Sequence, residues 1–263
     1  MQDGQAPVDS ELIYDLGMHS GEDTAFYLKK GFRVVAVEAN PDLAEAARTR
    51  FADALAEGRL ILVNMAIAER EGELEFFVNE QNSQWSSIHR QWGTRGQKGH
   101  RIVRIPATTL DRLMTRHGVP YYIKIDIEGA DLTALKSLAD CPGLPRYVSV
   151  EGGREPALRV FEALGYDRFA VVPQASVPGS ELRRPSHEGR DVAHVFPPGS
   201  SGPFGRDIEG EWMDFAAILA DRQNFVAQLQ EITTRHKDQP ARLEAEKRRL
   251  GLEWCDVHAC RSA

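Results

Sequence analysis

The feature that most narrows what this chain can fold into is an apolar run ending in glycine, LIYDLG at 12–17, which turns tightly into a helical segment, GEDTAFYLKKG, closing on Gly31. A second run, RVVAVEAN at 33–40, is rich in β-branched residues and stops at Pro41, a residue suited to the first turn of the next helix, PDLAEAARTRFADALAEG. LILVNMAI at 60–67 completes the unit. Strand, helix and strand of these lengths imply crossover connections between parallel strands, with helices packed on both faces. The expectation is an α/β, Rossmann-like fold around a mostly parallel sheet.

Downstream, GELEFFVN (72–79) follows a turn too short for a crossover helix and reads as a β-excursion. The polar, glycine-bearing stretch 79–100, which carries Trp85 and Trp92, reads as a long loop over a site. IVRIPATTL (102–110), a short helix from Asp111, the apolar strand YYIKIDIEG (121–129) and the helix ADLTALKSLAD resume the alternation. RYVSVEGG, EPALRVFEALGY and DRFAVVPQ then read as strand, helix and strand. Proline, glycine and serine dominate FPPGSSGPFG at 196–205, so 175–210 reads as loop or linker, with VAHVF (192–196) a candidate last strand. From Glu211 to about Leu250 the pattern is helical, broken at Pro240. The expected organisation is a polar tail at 1–10, an α/β domain at 11–198, and a linker with a helical C-terminal extension at 199–263.

A formal charge of −7 argues against partners held by long-range attraction to polyanions, so neither nucleic acid nor an acidic membrane surface is expected. Three cysteines, Cys141, Cys255 and Cys260, are too few and odd for a secreted disulfide framework, which points to the cytoplasm. The polar first residues lack the basic-then-apolar pattern of a leader.

The most informative stretch is DLGMHSG at 15–21. Asp15 and Gly17 end the first strand and Gly21 opens the helix, a D-x-G-x-x-x-G pattern in which glycine accepts positive φ and lets a ligand lie against backbone. The N–H groups at the helix start attract a carboxylate. Glu38 ends the second strand twenty-one residues beyond Gly17, where a carboxylate can accept both hydroxyls of a ribose. A nicotinamide or flavin site would need glycine where His19 and Glu22 stand, and Glu22 adds negative charge where a pyrophosphate would lie. The spacing favours a nucleoside without phosphates that carries an amino acid, namely S-adenosylmethionine, with Asp15 a candidate partner of its ammonium. Asn64 is a candidate adenine ligand, with Met65 as apolar contact.

The blocks DLGMHSGEDTAFYL (15–28), VVAVEANP (34–41), TTLDRL (108–113) and IKIDIEGADLTALKSL (123–138) resemble the FkbM-type methyltransferase family. The resemblance spans about residues 11–152 and implies a class I fold with a seven-stranded sheet and methyl transfer to a hydroxyl oxygen, often on a sugar or natural product. The chain departs from the family at Met18-His19-Ser20, where smaller or amide-bearing residues are usual, which makes His19 a candidate contact of cofactor or substrate.

In a doubly wound sheet the ligand crevice lies beyond the carboxyl ends of the strands at the switch point. Lys124, Asp126 and Glu128, at alternate positions, are expected to point together into it. Asp126 is the candidate general base, Lys124 a candidate stabiliser of charge on oxygen, and His89 in the long loop an alternative base. Trp85, Ser87, Glu128 and Glu151 are candidate acceptor-binding residues. Asp126 with Glu151 could hold Mg²⁺, a weaker reading than catalysis without metal. Cys255, His258 and Cys260 fit no standard zinc spacing. The expected partner is a small-molecule or glycan acceptor, with self-association through the C-terminal helices. N- or C-methylation, or cofactor binding without turnover, are the alternatives.

Overall fold

The computed structural model describes residues 5–96, 99–152, 154–252 and 254–262. The elements run β1 (Val8–Leu16), α1 (Glu22–Lys29), β2 (Arg33–Val37), α2 (Pro41–Arg50), α3 (Ala52–Ala56), β3 (Leu60–Val63), β4 (Ala66–Ile67), β5 (Gly72–Asn79), α4 (Arg90–Gly93), β6 (His100–Thr108), α5 (Leu110–His117), β7 (Val119–Ile125), α6 (Asp131–Ser137), β8 (Tyr147–Glu151), α7 (Glu155–Ala163), β9 (Arg168–Pro173), α8 (Phe215–Arg235), α9 (Pro240–Leu250) and β10 (Cys255–Cys260). Seven strands form one sheet in the order β3-β2-β1-β7-β8-β10-β9. β1 pairs in parallel with both β2 and β7, so the strand order reverses at β1 and the crevice opens beside it.

Alternation along the strands buries both faces. Leu12, Tyr14 and Leu16 of β1 pack with Ile123, Val148, Phe161 and Phe169 on one side. Ile13 faces the other, with Phe26, Tyr27, Tyr122 and Phe204. Local chemistry starts the helices where the sequence indicates: Asn40 caps α2, its side chain accepting from the Asp42 N–H, with Pro41 in the first turn.

β5 and β6 pair as an antiparallel hairpin, joined by β4 into a separate three-stranded sheet. The hairpin tip, expected as open loop, carries a 3₁₀ turn at Ser83–Trp85 and the short α4.

Two expectations are corrected at the C-terminal end. VAHVF makes no sheet strand; Val195 forms an isolated bridge to Glu181. The last strand is β10, antiparallel to both β8 and β9. The helices α8 and α9 are therefore followed by a return to the sheet, and the α/β domain does not end at 198. Cys255, Val257 and Ala259 are apolar or small and meet one face, while Asp256 and His258 stand on the other, so the strand alternates charge with apolar bulk and its short length hid it. The same alternation puts Cys255 on the opposite face from His258 and Cys260.

The stretch 175–210, read as linker, is a strap across the second face of the sheet. Phe204 stacks on Tyr122 with ring centroids 4.6 Å apart, and Lys30, fully buried, pairs with Asp207 at 2.9 Å. No helix among the described residues is long and apolar enough to cross a membrane.

Candidate functional site

A cleft of about 450 Å³ opens at the carboxyl ends of β1, β2, β7 and β8. Its floor is the glycine turn. Gly17 has φ +82°, and a Cβ there would lie 1.8 Å from the Asp126 carbonyl oxygen, so only glycine lets β1 and β7 end this close together. The Gly17 and Met18 N–H groups donate to the Val37 carbonyl, tying the turn to β2. His19, itself left-handed at φ 50°, donates its N–H to Glu38 Oε2 at 2.8 Å.

Glu38 lines the cleft, with its other oxygen accepting from the Asn40 N–H at 2.7 Å. Burial raises its pKa to about 7, against the opposing pull of those two N–H donors. Asn64 does not line the cleft: its side-chain amide donates to the Glu38 carbonyl at 2.7 Å and braces the end of β2. Met65 does line it, with Val37, Leu43 and Ile67.

Asp15 is also placed differently from the expectation. It is fully buried and outside the cleft lining, with Oδ2 accepting from Thr24 at 2.6 Å and Oδ1 without a hydrogen-bond partner. Its partner is Lys124, whose Nζ stands 3.7 Å from Asp15 Oδ1, 3.6 Å from Asp23 Oδ2 and 3.1 Å from Asp126 Oδ2. Burial alone would strip the proton from Lys124, but the carboxylates of Asp126, Asp15 and Asp23 outweigh it and hold its pKa well above the ordinary lysine value. The ammonium expected to serve a reacting oxygen is thus shared among three carboxylates. Gly21 lies outside the lining too; a Cβ there would meet Phe51 and Met18.

β7 ends at Ile125, and Glu128 has φ 49°, so strand alternation does not reach it. A turn brings it to the cleft instead. The Ile127 and Gly129 N–H groups donate to the Asp131 carboxylate at 2.9 Å each, and Ser87 Oγ donates to the Glu128 carbonyl at 2.7 Å. Ser87 therefore supports this turn from outside the cleft. Arg95 pairs with the Glu128 carboxylate and lies over the rings of Trp85 and Trp92, 5.2 and 4.7 Å from their centroids. Trp85 lines the cleft, whereas Trp92 packs against Gly129. His89 is exposed and outside the lining, which removes the geometric basis for it as a base.

Four groups escaped the sequence reading. Asp23, in the first turn of α1, lines the cleft and accepts from the Ser201 N–H at 2.9 Å, and burial raises its pKa to about 6. Arg95 stood in a stretch read only as polar loop. Gly199 and Trp254 arrive from the strap and the approach to β10. A second acidic residue in the first turn after the glycines, next to Glu22, was the one available signal, for Asp23; nothing local marks the others.

Residues 15–161 match the family described as the methyltransferase FkbM domain, more than half of the chain. The chain belongs to the FkbM methyltransferase family. It is an S-adenosylmethionine-dependent methyltransferase. None of the curated proteins compared with it matches its sequence. Among solved structures, it is similar to a precorrin-6Y C5,15-methyltransferase from Geobacter metallireducens, at 15% identity over 72% of this chain and 76% of that one, TM-score 0.35. It is also similar to the 1,6-didemethyltoxoflavin-N1-methyltransferase of Burkholderia thailandensis, solved with 1,6-didemethyltoxoflavin and S-adenosylhomocysteine, at 16% identity over 68% and 66%, TM-score 0.30. At these scores the likeness says nothing about substrate.

The cleft of this FkbM methyltransferase fits its cofactor chemically: a bare-backbone turn, a carboxylate at the end of β2, and an apolar wall between them, with carboxylates rather than a phosphate-binding cationic loop around it. Among the described residues no group of three or more His, Cys, Asp or Glu side chains is arranged to hold a metal ion. Glu151 lies at the rim; burial, then the charges of Asp126, Glu128 and Asp131, push its carboxyl up to about 8.

Proposed function

We propose that this methyltransferase transfers the methyl group to a hydroxyl oxygen of a sugar, glycan or natural product, with Asp126 as the general base. The observation that carries the reading is the state of Asp126. Its Oδ2 accepts from Lys124 at 3.1 Å, its side chain is 38% exposed, and it lines the cleft beside the glycine turn. One carboxylate oxygen is fixed and the other is left to face an acceptor.

When bound, S-adenosylmethionine would supply an activated methyl on a sulfonium, its carbon–sulfur bond breaking as the neutral thioether leaves. Gly17, His19 and Glu38 would hold its nucleoside, Glu38 at the ribose hydroxyls, with Met65 and Ile67 against the adenine. Asp15 acts from below: it anchors Lys124, and Lys124 orients Asp126. As the acceptor oxygen forms its bond to carbon, Asp126 takes the hydroxyl proton. Positioning supplies most of the acceleration, and the base contributes about 10²–10⁴-fold. Mg²⁺ between Asp126 and Glu151 is the weaker reading, because the Lys124 ammonium already occupies one side of Asp126. Trp85 offers an aromatic face to the acceptor. Cytoplasmic action, and self-association through α8 and α9, belong to the same proposal.

The test is methyl transfer from ¹³C-methyl cofactor to a panel of hydroxylated acceptors, with the product carbon assigned by NMR. A carbon bonded to oxygen is expected; one bonded to nitrogen or carbon would transfer the assignment to that alternative.

A further inference from the structure

Charge in the cleft is divided unequally across the sheet. Near β1 and β2 each carboxylate has a partner: Glu38 accepts two backbone N–H groups, Asp15 has Thr24, and Asp23 has the Ser201 N–H and Lys124. Glu128 has Arg95. Farther along, at the end of β8, the account does not close. The exposed Glu151 side chain makes no hydrogen bond or ion pair among the described residues, and directly opposite it in antiparallel register stands Asp256 of β10.

Asp256 is the independent sign that this corner expects a ligand. Residues opposite each other in an antiparallel pair share a face with Cβ atoms roughly 4.5–5.5 Å apart, so Asp256 is turned to the same side as Glu151. It is only 5% exposed, and among the described residues its carboxyl has no hydrogen-bond or ion-pair partner. Burial and the charge of Asp126 push its pKa well above the usual carboxylate range, outweighing the opposite pull of the Lys124 ammonium. The Lys124 ammonium that opposes this shift is already shared among Asp15, Asp23 and Asp126, so a further cation at this corner would relieve the burial of Asp256. The third component is aromatic: Trp254, two residues before Asp256, lines the same cleft and is 60% exposed, an indole face open to a cation.

We propose that Glu151 and Trp254, which line the cleft, with the Asp256 carboxyl behind them just outside its lining, form a subsite for an ammonium group carried by the methyl acceptor. This deepens the hydroxyl-acceptor reading and rests on it for the identity of the cleft as the acceptor's. Glu38 and Glu151 end strands three positions apart, roughly 14 Å at the usual strand spacing, which separates this corner from the nucleoside end. The substrate class is an amine-bearing polyol, with one group docked as ammonium while a hydroxyl reaches Asp126.

The experiment uses full-length protein saturated with S-adenosylhomocysteine and calorimetric titration of two matched pairs: kanamycin with its fully N-acetylated form, and the glucosamine trimer chitotriose with N,N′,N″-triacetylchitotriose. Acetylation removes charge and keeps the skeleton. The charged member of at least one pair is expected to bind ten-fold or more tightly, and Glu151→Gln and Asp256→Asn should each cut that preference to under three-fold while leaving S-adenosylhomocysteine affinity within two-fold. Equal binding of charged and neutral members, no binding of any charged member, or preference unchanged in both variants would overturn the subsite. A matching loss of S-adenosylhomocysteine affinity would assign the carboxylates to the cofactor and overturn it equally. Glu151→Gln, on the exposed rim, carries the test if Asp256→Asn fails to fold by its thermal melt. A methyl found on nitrogen would remove the hydroxyl assignment and leave the charge preference standing, so the two failures are distinguishable.

Discussion

The two ends of the cleft are built in opposite ways. The end proposed for the nucleoside takes its glycine turn and carboxylate from one continuous stretch, residues 15–38, in which β1, the turn, α1 and β2 follow each other and their backbone groups bond within the unit, with Leu43, Met65 and Ile67 adding only apolar wall. The end proposed for the acceptor is assembled from Trp85 and Arg95 in the hairpin, Asp126 and Glu128 beyond β7, Glu151, Gly199 and Trp254. Local chain geometry dictates the first; tertiary convergence dictates the second. The difference teaches where substitutions should act: at the nucleoside end on cofactor affinity, at the acceptor end on turnover and choice of acceptor.

The largest effect should come from Gly17→Ala. The methyl group would overlap the Asp126 carbonyl at a left-handed backbone position, and strain of that kind alone costs about 1–3 kcal/mol. Calorimetry should detect no S-adenosylhomocysteine binding, and urea unfolding should shift to lower midpoint. Normal binding would mean that β1 and β7 do not meet as described.

Asp126→Asn should divide the two ends cleanly. Single-turnover rates should fall by about 10²–10⁴, the range for loss of a general base, with cofactor affinity nearly unchanged. A parallel fall in affinity would blur the division.

Glu38→Gln tests the other side. Losing a charged acceptor for two hydroxyls should cost about 1.5–3 kcal/mol, roughly 10- to 100-fold in S-adenosylhomocysteine affinity, with turnover at saturating cofactor little altered. The same carboxyl sets a pH signature. Its folded pKa of about 7 lies above the ordinary glutamate value, so the folded state holds a proton that the unfolded state has released. Its stability contribution is complete below the unfolded value near 4.5 and is lost as pH rises through 7. Glu128, raised to about 7 by burial despite Arg95, adds in the same direction. Buried His258, lowered to about 3, acts in the opposite direction below 6.5, so the carboxyls are read above it: the melting temperature of free protein should decline from pH 6.5 to 8, with a shallower slope in Glu38→Gln, and a rise over that window would contradict the burial of these groups.

The smallest effect concerns the bond joining the two ends. His19 Nε2 and Ser83 Oγ are 2.8 Å apart, linking the glycine turn to the hairpin tip. A hydrogen bond of this kind is worth about 1 kcal/mol, so Ser83→Ala should lower kcat/KM roughly five-fold.

The same division explains what could be read before folding. Alternating apolar runs and glycine placement revealed β1, α1 and β2, because turn chemistry and crossover length are local properties. Glu38 could be placed at a strand end for that reason. Asp15 could be placed but not oriented: nothing local shows that its carboxylate turns inward to Thr24 and Lys124. Asn64 failed in the same manner, a strand-end amide spent on backbone. β10 was missed because Cys255–Cys260 is short, alternates charge with small apolar residues, and acquires its meaning only between β8 and β9. Arg95 and Trp254 carry no periodic signal; folding alone brings them to the cleft.

The most direct test of the central claim, that the cleft beside β1 is a nucleoside site for S-adenosylmethionine, is paired calorimetry of full-length protein with S-adenosylhomocysteine and with NAD. One S-adenosylhomocysteine per chain, with no NAD binding, is the predicted result, and Gly17→Ala should abolish it. Preference for NAD, or S-adenosylhomocysteine binding undisturbed by Gly17→Ala, would contradict the account.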